Sequence, residues 1–328
     1  RAAGLVNGVL RSLVRQKDSL LEPPDPATRY SHPKWLADEF ARRLGVEEAE
    51  ALLEADNGEP PTCAQVNTLK TTAEALAAAL QSRGVEARPH PWLPDCLLLR
   101  HTGSLEGLEE FQQGLFYIQD AAAKLAVTAA DPRPGMRVLD ACAAPGGKSF
   151  AAAIAMGDRG EVVSCDIHPH KEKLIQAGAA RLGLTCIQTE VLDGKSCKEE
   201  FLDSFDLVVA DVPCSGLGII RKKPDIRYKD PKPLENLPQV QAAILENVAR
   251  YVRPGGVLLY ATCTLLEREN EGVVREFLDR CKDFTPERFQ LPGGFEDAET
   301  GMVTCWPHRH DTDGFFFAKL RRTKDGDI

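Results

Sequence analysis

The sequence predicts an α/β fold: a doubly wound, mainly parallel sheet preceded by a small N-terminal α/β module. Two observations carry this. From residue 131 onward, short apolar runs alternate with helical stretches, the pattern of successive βα units. Most of these runs also end in an acid or a small residue, and ligands of such sheets bind outside the carboxyl ends of the strands.

The elements follow in order. Residues 1–17 carry Leu5, Val6, Val9, Leu10, Leu13 and Val14 on one stripe, an amphipathic helix. Residues 18–33, with Pro23, Pro24, Pro26 and Pro33, read as a linker. Residues 34–57 read as two short helices split at Gly45. A strand at 63–69, an Ala-rich helix at 71–82 and apolar runs near Val85 and at 96–99 complete the small module. A break at Gly114 leads to a strand at 116–118 and a helix at 120–130. Strands are then expected at 137–139, 162–165, 185–188, 206–210, 257–261 and 315–320, with helices at 147–156, 169–182, 238–252 and 267–280. The expected domains are 1–32, 33–117 and 118–328.

Composition sets bounds. The chain has 328 residues, 43% of them hydrophobic and 27% charged, which excludes a disordered or collagen-like chain. No run approaches the ~18 apolar residues of a membrane span, so no membrane partner is expected. Ten cysteines form no C-x-x-C pair, and the opening shows no signal-peptide pattern. A reduced, cytoplasmic chain is therefore expected, with most cysteines as small core residues. The formal charge of −9 argues at first sight against nucleic acid. Its distribution argues otherwise. Residues 221–232 hold six cations (Arg221, Lys222, Lys223, Arg227, Lys229 and Lys232) against Asp225 and Asp230. Residues 1–17 hold Arg1, Arg11, Arg15 and Lys17 with no acid.

The strand ends carry the chemistry. After the first strand comes Asp140-Ala-Cys-Ala-Ala-Pro-Gly-Gly-Lys-Ser149. Small residues and glycines let a ligand approach the backbone, and the next helix presents its N-terminus. A P-loop would need a glycine at position 142, which is Cys, so the phosphate cradle is incomplete. Asp166 closes the second strand, at the distance from Gly146 that suits a ribose hydroxyl pair. Asp193-Gly194 follows the third, and Asp211-Val-Pro-Cys-Ser-Gly216 the fourth. One such acid is usually a helix cap. Four successive ends outline a site for a nucleoside with a charged tail, a description that S-adenosylmethionine fits.

The fifth strand ends in Tyr260-Ala-Thr-Cys-Thr264, so Cys214 and Cys263 stand at neighbouring ends. Alone, each reads as a buried small hydrophobe. Together, beside a methyl donor, they suit methylation at carbon 5 of a pyrimidine. A thiolate adding to carbon 6 makes carbon 5 nucleophilic. A second acid/base group then helps the carbon-5 proton and the thiol to leave. Asp211 can hold the base edge.

These residues resemble the RNA 5-methylcytosine methyltransferases, and among them the RsmB-type branch acting on small-subunit (16S) ribosomal RNA. The resemblance rests on residues 140–149, Asp166, Asp193, DVPCSGLG at 211–218, RKKPDIRY at 221–228, ATCT at 261–264 and DGFFFAKL at 313–320. It implies a Rossmann-like methyltransferase sheet with S-adenosylmethionine as cofactor and ribosomal RNA as partner. It implies Cys263 as nucleophile and Cys214 in product release. It implies cofactor contacts at Cys142, Ala143, Ala144, Pro145, Gly146, Gly147, Lys148, Asp166, Asp193 and Asp211, with Lys148 and Asp211 also approaching the target base. The opening residues resemble the last helix of a NusB-like RNA-binding domain, so 1–32 is expected to be its remnant plus a linker, and 33–117 an RNA-binding module.

The basic run at the site mouth is expected to meet RNA through Arg221, Lys222, Lys223 and Arg227. Three departures stand out: Ser149 where Thr is usual, Gln65 where Arg is usual, and Val-Leu-Asp before Gly194 instead of Gly-Asp. His308-Arg-His310 with Asp311 and Asp313 lacks a cysteine partner, so a lid loop and no metal are expected. A monomer is expected. The alternatives are a family member acting on another RNA and a non-catalytic rRNA-binding assembly factor.

Overall fold

The computed structural model describes residues 2–19, 23–293 and 295–324. Arg1 of the basic opening and residues 20–22 of the expected linker lie outside them. The chain forms two compact units, Arg1–Asn57 and Gly58–Ile328, a division that runs through the 33–117 segment.

The first unit is helical: α1 (Ala2–Arg15), α2 (Pro26–Arg29), α3 (Lys34–Leu44) and α4 (Val46–Ala55). The stripe on α1 is exposed from Leu5 to Val14. The expected linker contains α2, started by Asp25, whose carboxylate accepts from the Thr28 N–H at 2.9 Å. Gly45, at φ +84°, ends α3 and opens α4, as the sequence predicts. Leu36, Phe40, Ala49, Leu52 and Leu53 form the core of this unit.

The second unit opens with an antiparallel sheet ordered β2-β3-β1-β4: β1 (Thr62–Val66), β2 (Glu86–Pro89), β3 (Cys96–Arg100) and β4 (Phe116–Ile118). It carries α5 (Ala73–Ser82) and α6 (Glu109–Gln112). The Thr72 hydroxyl caps α5 through the Ala75 N–H.

The large sheet follows as α7 (Ala121–Ala130), β5 (Arg137–Asp140), α8 (Gly147–Ala155), β6 (Glu161–Asp166), α9 (Pro169–Leu182), β7 (Ile187–Val191), β8 (Phe205–Asp211), α10 (Pro231–Leu234), α11 (Leu237–Ala249), β9 (Val252–Thr262), α12 (Glu271–Arg280), β10 (Phe284–Pro286), β11 (Met302–Cys305), α13 (Pro307–His310) and β12 (Phe315–Arg322). The strand order is β10-β12-β9-β8-β5-β6-β7, with β11 beside β12. Strands β5 to β9 pair in parallel, and β12 joins β9 antiparallel. Alternate strand residues serve two cores. Val138, Leu207 and Leu259 pack with α7, α8 and α9, while Leu139, Val208 and Leu258 pack with α11 and α12. This is the expected doubly wound, Rossmann-like sheet. Its strand order reverses at β5, flanked by β6 and β8, which is where such sheets bind ligands. Among the described residues no helix is long and apolar enough to cross a membrane.

Several boundaries differ from expectation for local reasons. The strand expected at 185–188 is β7, two residues later, because the Thr185 and Cys186 N–H groups bind the Asp158 carboxylate instead. The helix expected at 267–280 breaks at Asn270 (φ −112°, ψ −105°), so a 3₁₀ turn over Glu267–Glu269 precedes α12. The short strands β10 and β11 carry no run long enough to be read from sequence.

The small sheet is fastened to α9. Asn67 Nδ2 donates to the carbonyls of Gly114 and Leu182 at 3.0 and 2.9 Å. A Cβ at Gly114 would sit 2.0 Å from the Arg181 carbonyl, so the break there is a close backbone approach.

Candidate active site

The carboxyl ends of β5 to β9 meet at one edge, and the acids expected there are there. The chain leaves β5 at Asp140, turns through Cys142–Gly146 and enters α8 at Gly147. Gly146 has φ +111°, and a Cβ there would lie 2.4 Å from the Phe150 ring. The Ala143 N–H binds the Cys165 carbonyl at 2.8 Å, fixing the loop to the end of β6. The turn after β7 passes close by, since a Cβ on Gly194 would lie 3.9 Å from Cys142 Sγ.

Asp166 and Asp193 each use Oδ1 locally, accepting from the His168 and Lys195 N–H groups at 3.0 Å. Among the described residues, their second oxygens meet long lysine contacts, 3.6 Å to Lys171 and 3.8 Å to Lys195. These residues fit S-adenosylmethionine. Two carboxylates with acceptor capacity suit ribose hydroxyls, and the glycine turn at a helix N-terminus leaves backbone room for the charged tail.

Beneath the loop lies a chain that sequence reasoning missed. Buried Asp140 accepts from Ser149 Oγ at 2.7 Å, and Ser149 from Ser164 Oγ at 2.8 Å. Burial pushes the Asp140 carboxyl up to about 6, against the Ser149 hydrogen bond and the Lys148 charge. Ser149 thus uses the hydroxyl it shares with the usual Thr. Gln65, in the place of the usual Arg, is buried and donates to the Gln119 carbonyl at 2.9 Å.

Lys148, in the first turn of α8, reaches across to Asp211 at 2.5 Å and lies 5.0 Å from the Phe315 ring centre. Burial disfavours its charge, yet the charge and hydrogen bond of Asp211 outweigh that and hold the ammonium above its usual range.

Cys214 and Cys263 are brought together, their sulfurs 3.2 Å apart. The Cys214 hydrogen bond draws the Cys263 thiol below its usual range, with help from Lys148 and against burial and Asp211. Cys214 rises well above that range through Cys263, burial, Glu269 and Asp211. These surroundings favour a thiolate at Cys263 over one at Cys214. The backbone around Cys263 is tight. The Gly218 N–H binds the Cys263 carbonyl at 2.9 Å, and the Gly314 N–H binds the Gly218 carbonyl at 2.7 Å. A Cβ on Gly218 would lie 1.8 Å from the Gly314 carbonyl.

The basic run is placed differently from its expected role. The Arg221 side chain is buried and binds Asp311 at 2.8 Å and the Thr312 carbonyl at 2.6 Å. Lys222 bridges Asp120 and Asp313 at 2.9 and 2.8 Å, and Arg227 is buried. Lys229 donates to the Ser215 carbonyl at 2.7 Å. Lys223 is exposed. Buried acceptors are satisfied first: Lys222 serves the buried carboxylates of Asp120 and Asp313, and Arg221 and Lys229 serve backbone carbonyls, although Lys222 and Lys229 stay exposed along their length.

Asp120 was read only as part of a helix. It caps α7 through the Ala122 N–H, and it also holds the Asp313 N–H and Lys222. An acid directly before an Ala-rich helix was the available signal. The loop at 306–313 includes α13, where the Trp306 N–H donates to His310 Nδ1 at 2.8 Å. Among the described residues no group of three or more potential metal ligands forms.

With this geometry in place, the likenesses can be stated. A family model described as 16S rRNA methyltransferase RsmB/F matches residues 127–321. A second, for a ferredoxin-like domain of RsmF/B-like methyltransferases, matches residues 32–106. A probable ribosomal RNA small subunit methyltransferase B from Bacillus subtilis (strain 168) is 38% identical over 98% of this chain and 74% of its own length. The ribosomal RNA small subunit methyltransferase B of Enterobacter sp. (strain 638) is 33% identical over 97% and 73%. A solved methyltransferase homologue from Pyrococcus horikoshii superposes with a TM-score of 0.79 at 29% identity, over 92% of this chain and all of that one. NSun6 from Pyrococcus horikoshii with SFG shares the fold at 23% identity, with a TM-score of 0.79 over 89% of this chain and 99% of that one.

Proposed function

This chain belongs to the RsmB/F family of 16S rRNA methyltransferases, which use S-adenosylmethionine, and from that premise we propose that it methylates carbon 5 of a cytosine through a covalent Cys263 adduct. The observation that carries the reading is the pair of sulfurs 3.2 Å apart, with the Lys148–Asp211 pair next to them.

When bound, S-adenosylmethionine would supply an electrophilic methyl group and depart as S-adenosylhomocysteine, the electron pair of the broken methyl–sulfur bond staying on its sulfur. The Cys263 thiolate bonds to carbon 6, and the carbon 5–carbon 6 π pair moves onto carbon 5, the atom that takes the methyl. Asp211 and Lys148, linked at 2.5 Å, form a polar edge where a base ring can be held and its developing charge met. Once Cys263 is bonded to carbon 6, Cys214 can give its own proton to solvent and, as a thiolate, take the proton that leaves carbon 5. The carbon 6–sulfur bond then breaks, the double bond re-forms and Cys263 is again a thiolate. The target base must be unpaired or extruded to reach this half-buried pair.

The experiment is methyl transfer from labelled donor to small-subunit rRNA. Cys263→Ala is expected to lose at least a thousandfold in turnover; retained turnover sinks the adduct mechanism. Cys214→Ala is expected to accumulate a protein–RNA adduct seen as a slow band on a denaturing gel. Bisulfite sequencing of the RNA product reads the modified cytosine directly. An unmodified product would favour an assembly factor instead.

A further inference from the structure

Two adjacent residues behind the site, Glu269 and Asn270, are fully buried, and each reaches back to a different cysteine loop. Asn270 Nδ2 donates to the Thr264 carbonyl at 2.9 Å, and its Oδ1 accepts from Thr262 Oγ1 at 2.5 Å. It therefore grips the chain on both sides of Cys263. Glu269 Oε2 accepts from the Ser215 N–H and from Gln241 Nε2, both at 2.9 Å. It grips the chain next to Cys214, and Gln241 also donates to the Pro213 carbonyl on the other side. Tyr260 OH fixes the turn itself through the Glu269 carbonyl. A hydroxyl contact at 2.7 Å between Ser215 and Thr264 joins the two loops.

The clamp is symmetric in shape and asymmetric in charge. Asn270 is neutral, and Glu269 brings a carboxylate with two N–H donors on one oxygen. The charged or titratable groups acting on Cys214 are Cys263, Glu269 and Asp211. Those acting on Cys263 are Cys214, Asp211, Lys148 and Asp313. Lys148 acts on Cys263, while the cation next to the Cys214 loop, Lys229, is tied to the Ser215 carbonyl at 2.7 Å. A nearby negative charge disfavours a second one, so a buried carboxylate beside one thiol of a coupled pair sends the thiolate to the other.

We propose that Glu269 is a positioning residue that assigns the two cysteines their roles, holding the Cys214 loop through Ser215 while its charge keeps Cys214 a thiol and leaves the attacking thiolate to Cys263. The proposal rests on the Cys263 reading above.

The test alkylates the full chain with iodoacetamide between pH 6 and 9 and follows each cysteine by peptide mass spectrometry. Both residues are half-buried. In the unaltered chain Cys263 is expected to react at least tenfold faster than Cys214 at pH 7. In Glu269→Gln, which keeps the side-chain shape, that ratio is expected to fall about tenfold, the order expected when one like charge is removed. Turnover should fall with it while KM for S-adenosylmethionine holds, and Glu269→Asp should recover part of both. An unchanged ratio in a Gln variant with a normal melt overturns the role. If the Gln variant does not fold, the unaltered chain decides: Cys214 reacting as fast as Cys263 overturns it, and a tenfold lag supports it. Failure of the adduct reading shows separately, as methyl transfer by Cys263→Ala, and leaves the alkylation ratio free to judge Glu269.

Discussion

The glycine loop at 140–149 and the basic run at 221–229 belong to the same sheet edge, yet they do opposite things with their residues. The loop is short-chained and acts through its backbone: Gly146 in left-handed geometry, Ala143 tied to Cys165, Gly147 opening α8. The run is long-chained, and Arg221, Lys222 and Lys229 are tied within the chain to Asp311, Asp120, Asp313 and two carbonyls. Small residues leave little room for an alternative partner. Flexible cations take the nearest buried acceptor, so their direction depends on what the tertiary fold places beside them.

The contrast predicts different kinds of damage. The largest effect is expected at Lys148, where the loop meets the chemistry. Lys148→Met should lower methyl transfer by about a hundredfold or more with a melting temperature close to normal. A large fall in melting temperature with normal turnover would turn this lysine into another brace. Next comes Arg221→Ala, which orphans the Thr312 carbonyl and should cost about 1–3 kcal/mol of stability, read by urea unfolding. The salt dependence of its RNA binding should be nearly unchanged. Lys223→Ala should do the reverse at smaller size: a few-fold weaker RNA binding, a salt slope shallower by about one and no change in unfolding. If Arg221→Ala and Lys223→Ala lower the salt slope equally, the contrast is gone.

The smallest effect concerns pH. Burial and the neighbouring Asp120 charge push Asp313 up to about 7, against Lys222. Its folded value lies above its unfolded one, so between about pH 4 and 7 the folded chain binds the extra proton. The stability this contributes is present at the acid end and lost as pH rises through 7. The melting temperature of the unaltered chain relative to Asp313→Asn should therefore decline from pH 5 to pH 8. A difference that stays level would show that Asp313 is not titrating in this window.

The same contrast explains what was legible in the sequence. The parallel strands and their terminal acids were, because apolar runs and strand-end motifs are local patterns. Cys142 to Lys148, Asp166, Asp193, Asp211, Cys214 and Cys263 all come to one edge. Gly45 and Gly114 were readable as breaks. The β7 boundary was not, because it depends on Asp158, some thirty residues upstream of that strand. Glu269, Gln241 and Asn270 were illegible for a related reason: a polar residue in an amphipathic stretch looks solvated until the loops it binds are folded around it. The direction of Arg221 belongs to the same class.

The crossing of Gly218 and Gly314 has a consequence in time. The Gly314 N–H holds Gly218, and Gly218 holds Cys263, through backbone alone. Residue 314 leads into β12, which follows Cys263 by some fifty residues in the sequence, and β12 pairs with β9, the strand that leads to Cys263. The 140–149 loop and both cysteines are thus synthesised before the strand that supports them. Domains tend to form from the N-terminal side during synthesis, so the reactive centre is complete only after β12 has joined β9.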